Sequence, residues 1–98
     1  VLTTGGTGFS NRDVTPEATV SVLEKMVPGI SELIRAEGFK KTPKAMLSRA
    51  VSGIRQQTLI INLPGSPRGV TQSLEAIKPA LVHGLEILKG QASECGQG

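Results

Sequence analysis

The sequence has no Trp and no Tyr, and its aromatics are two Phe, Phe9 and Phe39. A core must therefore be built from Leu, Ile, Val, Ala and Met. Little aromatic surface is left on which single-stranded bases could stack, which argues against that class of nucleic-acid module. There is one cysteine, Cys95, so neither an internal disulfide nor a cysteine metal cluster can form. A lone thiol is compatible with a reducing compartment, and the cytoplasm is the expected setting. One histidine, His83, stands among apolar residues without a Cys, an Asp or a second His, the pattern of a part-buried structural side chain. No apolar run is long enough to span a membrane, and no signal peptide is visible.

Length and charge narrow the field further. A chain of 98 residues is one domain at most. Its 11 Lys and Arg against 8 Asp and Glu give a net charge of +3. That modest balance suits an anionic small molecule. Lys40, Lys41 and Lys44 lie close together but are not interleaved with aromatics, so they read as a solvated charged face rather than a nucleic-acid site.

What the chain does have is a glycine-rich stretch near its start, TTGGTGFSNRDVTPE from Thr3 to Glu17. Val1 and Leu2 read as the end of a strand. Gly5, Gly6 and Gly8 permit positive φ and close approach of a ligand to the backbone. Consecutive N–H groups in such a turn can form an anion nest. Thr15-Pro16-Glu17 reads as a helix start, with Thr15 as N-cap, Pro16 in the first turn and Glu17 complementing the helix dipole. Strand, glycine turn, charged loop and helix form the layout of a phosphate or nucleotide site in an α/β protein. Neither standard fingerprint is present. No GxxxxGK[ST] occurs, and Asn11 stands where GxGxxG needs its third glycine. From the glycines alone, a ligand-free turn is an equal reading.

The remaining elements follow from periodicity and punctuation. Ala18, Val22, Leu23 and Met26 predict a helix over 16–27, and Ile30, Leu33 and Ile34 a second over 30–37, stopped by Gly38. Thr42-Pro43 can open one helical turn. Val51–Ile54 and Thr58–Leu63 around the polar turn Arg55-Gln56-Gln57 read as a β-hairpin whose second strand, TLIINL, is buried. Ser66-Pro67 repeats the cap signal, and Val70, Leu74 and Ile77 mark the helix beyond it. Pro79 is expected to kink that helix or to start a new one, with Leu81, Val82, Leu85 and Leu88 continuing the apolar face to Gly90. Residues 1–90 then form the domain and 91–98 a disordered tail.

Three blocks of the sequence, in order, resemble the molybdopterin-binding Mog/MoaB family, which includes the G domains of gephyrin and plant Cnx. They are TTGGTG followed by Arg12–Thr19, Met46–Arg55, and Thr58–Pro67. The resemblance implies a three-layer α/β sandwich with a mostly parallel sheet. It implies Mg²⁺- and ATP-dependent adenylylation of molybdopterin in molybdenum cofactor biosynthesis, or, as the alternative, a non-catalytic binding or trimerisation scaffold. It assigns Asp13 as catalytic and Mg²⁺-binding. Thr4, Gly5, Gly6, Thr7, Gly8, Ser48, Arg49, Pro64, Gly65 and Ser66 are assigned to substrate contacts, with Arg49 either a bidentate phosphate clamp or, equally, a partner in a surface salt bridge. The family's domain carries further strands and helices, and a second catalytic acid, before the point matched by Val1. The N-terminal part is therefore expected to be missing, leaving the C-terminal larger part of a domain. A homotrimer is implied, with no nucleic acid and no membrane as partner.

Overall fold

A computed structural model describes residues 1–90; the tail expected at 91–98 lies outside the described residues. The order of elements is β1 (Leu2–Thr4), α1 (Thr15–Val20), β2 (Lys25–Met26), α2 (Pro28–Phe39), a 3₁₀ turn (Pro43–Leu47), β3 (Ser52–Arg55), β4 (Thr58–Leu63) and α3 (Pro67–Leu88). The strands form one sheet in the order β1-β4-β3-β2.

The hairpin read from Val51 to Leu63 is present, with Gly53 opposite Ile60 and Arg55 opposite Thr58. Gln56 supplies the positive φ of its turn. β1 runs parallel to β4, Leu2 facing Ile61 and Thr4 facing Leu63. The sheet is therefore mixed: within the described residues, β1–β4 is its parallel pair and both pairings of β3 are antiparallel. The mostly parallel sheet expected from the resemblance is corrected to this extent, because a two-residue turn can only return a strand antiparallel to itself.

Side chains alternate across β4, and this places the layers. Ile61 and Leu63, each 1 % exposed, point to one face and meet Ile34 of α2 and Ile77 of α3. Ile30, Val70, Leu74 and Leu81 close around this cluster. Burying each such side chain contributes about 1.5–3 kcal/mol. Asn62 points to the opposite face, where its amide meets Thr19 of α1. Helices thus cover both faces, as expected.

Local signals hold where they are self-contained. Ser66 caps α3 by accepting from the Gly69 amide at 3.0 Å, and Thr42 caps the 3₁₀ turn by accepting from Lys44. Four expectations are corrected. The helix over 16–27 ends at Val20, and Met26, part of its supposed stripe, lies in β2. The Glu24 and Val27 amides instead bond Ile54 and Ser52 of β3. Gly53 admits this approach, since a Cβ there would lie 2.5 Å from the Lys25 carbonyl. The position ahead of α1 is Val14, without a side-chain cap, rather than Thr15. Gly38 lies inside α2, which runs on to Phe39. Pro79 starts no new helix: α3 runs from Pro67 to Leu88 with Pro79 inside it. Its apolar contacts end near Leu81, and Val82, Leu85 and His83 are exposed, so the buried histidine is corrected too.

Candidate functional site

Both expected loops follow parallel strands and precede helices. The loop after β1 leads to α1, and Pro64–Ser66 leads from β4 to α3. The Gly5 amide donates to the Leu63 carbonyl at 3.0 Å, and a Cβ on Gly65 would lie 3.3 Å from the Gly5 Cα. A side chain on Gly65 would crowd this contact between the loops. Gly5 and Gly6 have φ of +83° and +72°, values that favour glycine.

Beside the loops opens a cavity of about 720 Å³. Thr7, Gly8, Ser48, Pro64 and Ser66, all expected at the site, line it. The first turn of α3 contributes Arg68 and Gly69, so a helix N-terminus faces the space. Ile34, Ala45 and Leu47 supply apolar wall. The remaining side is the one that charge counting passed over. Arg35, Lys40, Lys41 and Lys44 join Arg68 on the lining, against the single carboxylate Glu37. The lysines read as a solvated face because they occupy a loop without aromatics.

Thr4, Gly5, Gly6, Gly65, Asp13 and Arg49 are not on the cavity wall. Asp13 Oδ2 accepts from the Ser10 amide at 3.0 Å. Its carboxylate packs against Gly8, where a Cβ would come within 2.9 Å of Oδ2. Asp13 is thus one residue's thickness from the cavity. Arg49 is placed differently from a phosphate clamp. Its amide donates to Thr7 O at 2.8 Å, Nε to Gly8 O at 2.7 Å, Nη2 to Asp13 O at 2.5 Å and Nη1 to Glu17 Oε2 at 2.5 Å. Those bonds hold the glycine loop in shape. The Arg49 hydrogen bond, followed by a backbone bond within Glu17, holds the Glu17 carboxyl below its ordinary range; the same ion pair raises Arg49. Asp13 and its neighbour Arg12 are not among the ion pairs of the described residues.

Two strand-to-helix loops in contact through Gly5 and Gly65, beside a cavity with a cationic side, define an α/β domain with a crevice at the carboxyl ends of its parallel strands. The chain belongs to the family described as "Probable molybdopterin binding domain", whose profile matches residues 1–83. It is 50% identical over 90 residues to a molybdopterin adenylyltransferase of Helicobacter pylori, covering 92% of this chain and 51% of that protein. It is 48% identical over 89 residues to a molybdopterin adenylyltransferase of Escherichia coli K12, covering 87% and 46%. Among solved structures it resembles the molybdopterin biosynthesis enzyme MoaB of Thermus thermophilus, with TM-score 0.84 and 56% identity over 91% of this chain and 56% of that one. It also resembles the molybdopterin biosynthesis Mog protein of Mycobacterium ulcerans, with TM-score 0.86 and 47% identity over 89% and 57%. The chain spans about half the length of the curated relatives it matches.

Proposed function

We propose that this domain serves molybdenum cofactor biosynthesis by binding molybdopterin and ATP for adenylyl transfer. The observation that carries the reading is the cavity itself. Lys40 is ion-paired with Glu37 and Arg35 donates to the Ala50 carbonyl, but Lys41, Lys44, Arg68 and the α3 N-terminus line the same cavity as the apolar Ile34, Ala45 and Leu47, a combination suited to a flat heterocycle with a phosphate tail. In the proposed reaction an oxygen of the molybdopterin phosphate forms a bond to the α-phosphorus of ATP. The bond from that phosphorus to the β-phosphate bridge breaks, and pyrophosphate leaves. Thr7, Gly8, Pro64 and Ser66 position the phosphates, with Thr4, Gly5, Gly6 and Gly65 shaping the loops. Ser48 faces the same space, and Arg49 serves by holding the loop.

Asp13 is the proposed Mg²⁺ carboxylate. Among the described residues no group of three or more His, Cys, Asp or Glu is placed to hold a metal. One carboxylate nevertheless fits Mg²⁺, which commonly binds one or two carboxylates together with substrate phosphates and water. Such an ion would neutralise charge on the transferring phosphoryl group. A homotrimer, which rests on the resemblance, and a cytoplasmic setting, which rests on the lone cysteine, complete the proposal. No helix of the described residues is long and apolar enough to cross a membrane.

The placement of Asp13 outside the cavity wall favours a second reading, a module that binds molybdopterin without turnover. The test is formation of adenylylated molybdopterin from Mg²⁺, ATP and molybdopterin, compared with ligand binding by the same material. Asp13→Asn is expected to bind molybdopterin and lose turnover. Binding without product in the parent chain supports the second reading, and undiminished turnover in the variant removes Asp13 from catalysis.

A further inference from the structure

We infer that Asn62 is a positioning residue that fixes the two ligand loops relative to each other. The inference rests on the reading of those loops as the ligand site. Asn62 is fully buried in β4, two residues before Pro64. An amide in a strand otherwise made mostly of Leu and Ile costs desolvation unless every polar atom is paired. Here the pairing is directional. The Val51 amide donates to Asn62 Oδ1 at 3.1 Å. A backbone N–H can only donate, so the oxygen must face Val51 and the NH₂ group the other way. Nδ2 then donates to Thr3 Oγ1 at 2.9 Å and to Thr19 Oγ1 at 3.0 Å. Thr19 Oγ1 in turn donates to the Thr15 carbonyl at 2.8 Å. The Thr15 amide donates to Gly6 O at 3.1 Å.

The path therefore runs from β4, through one side chain, to the strand that enters the glycine loop and to the helix that leaves it. It closes on itself where Gly5 donates to Leu63, the neighbour of Asn62. A leucine at this position would fill space on the α1 face but would specify none of these three partners. Buried polar networks that are fully satisfied favour one arrangement over its near alternatives. Among the described residues, no buried side-chain nitrogen or oxygen lacks a partner.

The direct variant, Asn62→Asp, buries a carboxylate and can fail to fold, so the test uses Thr19. Thr19→Val removes the hydroxyl at nearly constant volume; Thr19→Ser keeps it and removes a methyl. Ile77→Val, in the core on the opposite face, serves as the control for lost stability. The 98-residue chain and each variant are compared by amide chemical shift and hydrogen exchange at Gly5, Gly6, Gly8 and Gly65, by urea unfolding, and by titration with Mg²⁺-ATP. Thr19→Val removes two hydrogen bonds, the one accepted from Asn62 Nδ2 and the one donated to the Thr15 carbonyl, and is expected to shift and deprotect the glycine amides and to weaken ATP binding by about fivefold or more. Thr19→Ser and Ile77→Val are expected to leave both readouts near parent values. Unmoved glycine amides in Thr19→Val, or equal movement in Ile77→Val, overturn the inference. If the parent itself binds no ATP, the proposed ligand is wrong, while the glycine amides still decide the role of Asn62.

Discussion

Arg49 Nη1 lies 2.5 Å from Glu17 Oε2, joining the chain just ahead of β3 to the first turn of α1 across the glycine loop. With the Thr7, Gly8 and Asp13 carbonyls also held by Arg49, this pair is the outer end of a clasp on residues 7–17. Its pH dependence has a definite sign. Glu17 is held below its ordinary value of 4.5 by Arg49, while Arg49 is raised and stays protonated. A carboxylate lowered on folding stabilises the folded state above its ordinary pKa, and that contribution is lost as pH falls through the folded value. Acid titration of loop hydrogen exchange is expected to show protection falling below about pH 5 in the parent and a flatter response in Glu17→Gln. Because Glu17 is exposed, added salt should weaken the effect. Parallel pH curves for parent and variant would remove the pair from loop stability.

A second prediction separates glycines that a turn requires from those it does not. Gly6 has φ of +72°, and an added Cβ would lie 2.2 Å from Thr15 Oγ1. Gly6→Ala is expected to destabilise by about 1–3 kcal/mol, combining backbone strain with a clash. Gly84 lies in α3 with nothing within 4 Å of its missing Cβ. Gly84→Ala should stabilise by about 0.4–1 kcal/mol, because alanine is the better helix former. Urea midpoints at constant m-value measure both, and the two changes should have opposite sign.

These contrasts also show which parts of the molecule were legible beforehand. Ser66 and Thr42 were readable as caps because a cap involves residues two or three apart in sequence. The hairpin around Gln56 was readable for the same reason. Met26 was not, because its strand exists only through pairing with Gly53, 27 positions away. The loops were visible as loops, but the acceptors that Arg49 meets were not. Its sequence neighbours say nothing of Gly8 and Glu17, whose acceptors occupy the guanidinium. Lys40, Lys41 and Lys44 became part of the site only once α2 and the 3₁₀ turn placed them opposite Ser66 and Arg68.

Those lysines carry the third prediction. Each of Lys41→Glu and Lys44→Glu reverses a charge on the cavity lining without touching the core. ATP binding should weaken by about fivefold or more for each, and the loss should shrink at high salt as screening rises. Calorimetric titration at two ionic strengths reads both effects. Lys25→Glu, on the edge strand β2 and not on the cavity lining, should have a smaller effect. Equal losses at all three positions would indicate general attraction to a basic chain, with no particular role for the cavity.

Pro79 gives the last prediction. It sits inside α3, where it has no N–H to donate to the Glu75 carbonyl four residues back. The helix continues past it; Val70, Leu74 and Ile77 pack on its N-terminal side, and Leu81 just beyond it also packs against the core. Beyond it Val82 is 59% and Ile87 46% exposed, so few contacts hold this segment in helical form. Proline there costs the folded helix up to about 3 kcal/mol relative to alanine. It also restricts the unfolded chain, which offsets roughly 0.4–1 kcal/mol of that cost. Pro79→Ala is therefore expected to raise stability by about 1–2 kcal/mol. The gain should be largest in the hydrogen-exchange protection of Val82 to Leu85, whose amides lie just past the missing bond. A destabilised variant would mean that the proline ring supports α3 through contacts that outweigh the lost hydrogen bond. Unchanged protection beyond residue 79 would mean that this half of the helix is held by its own propensity alone.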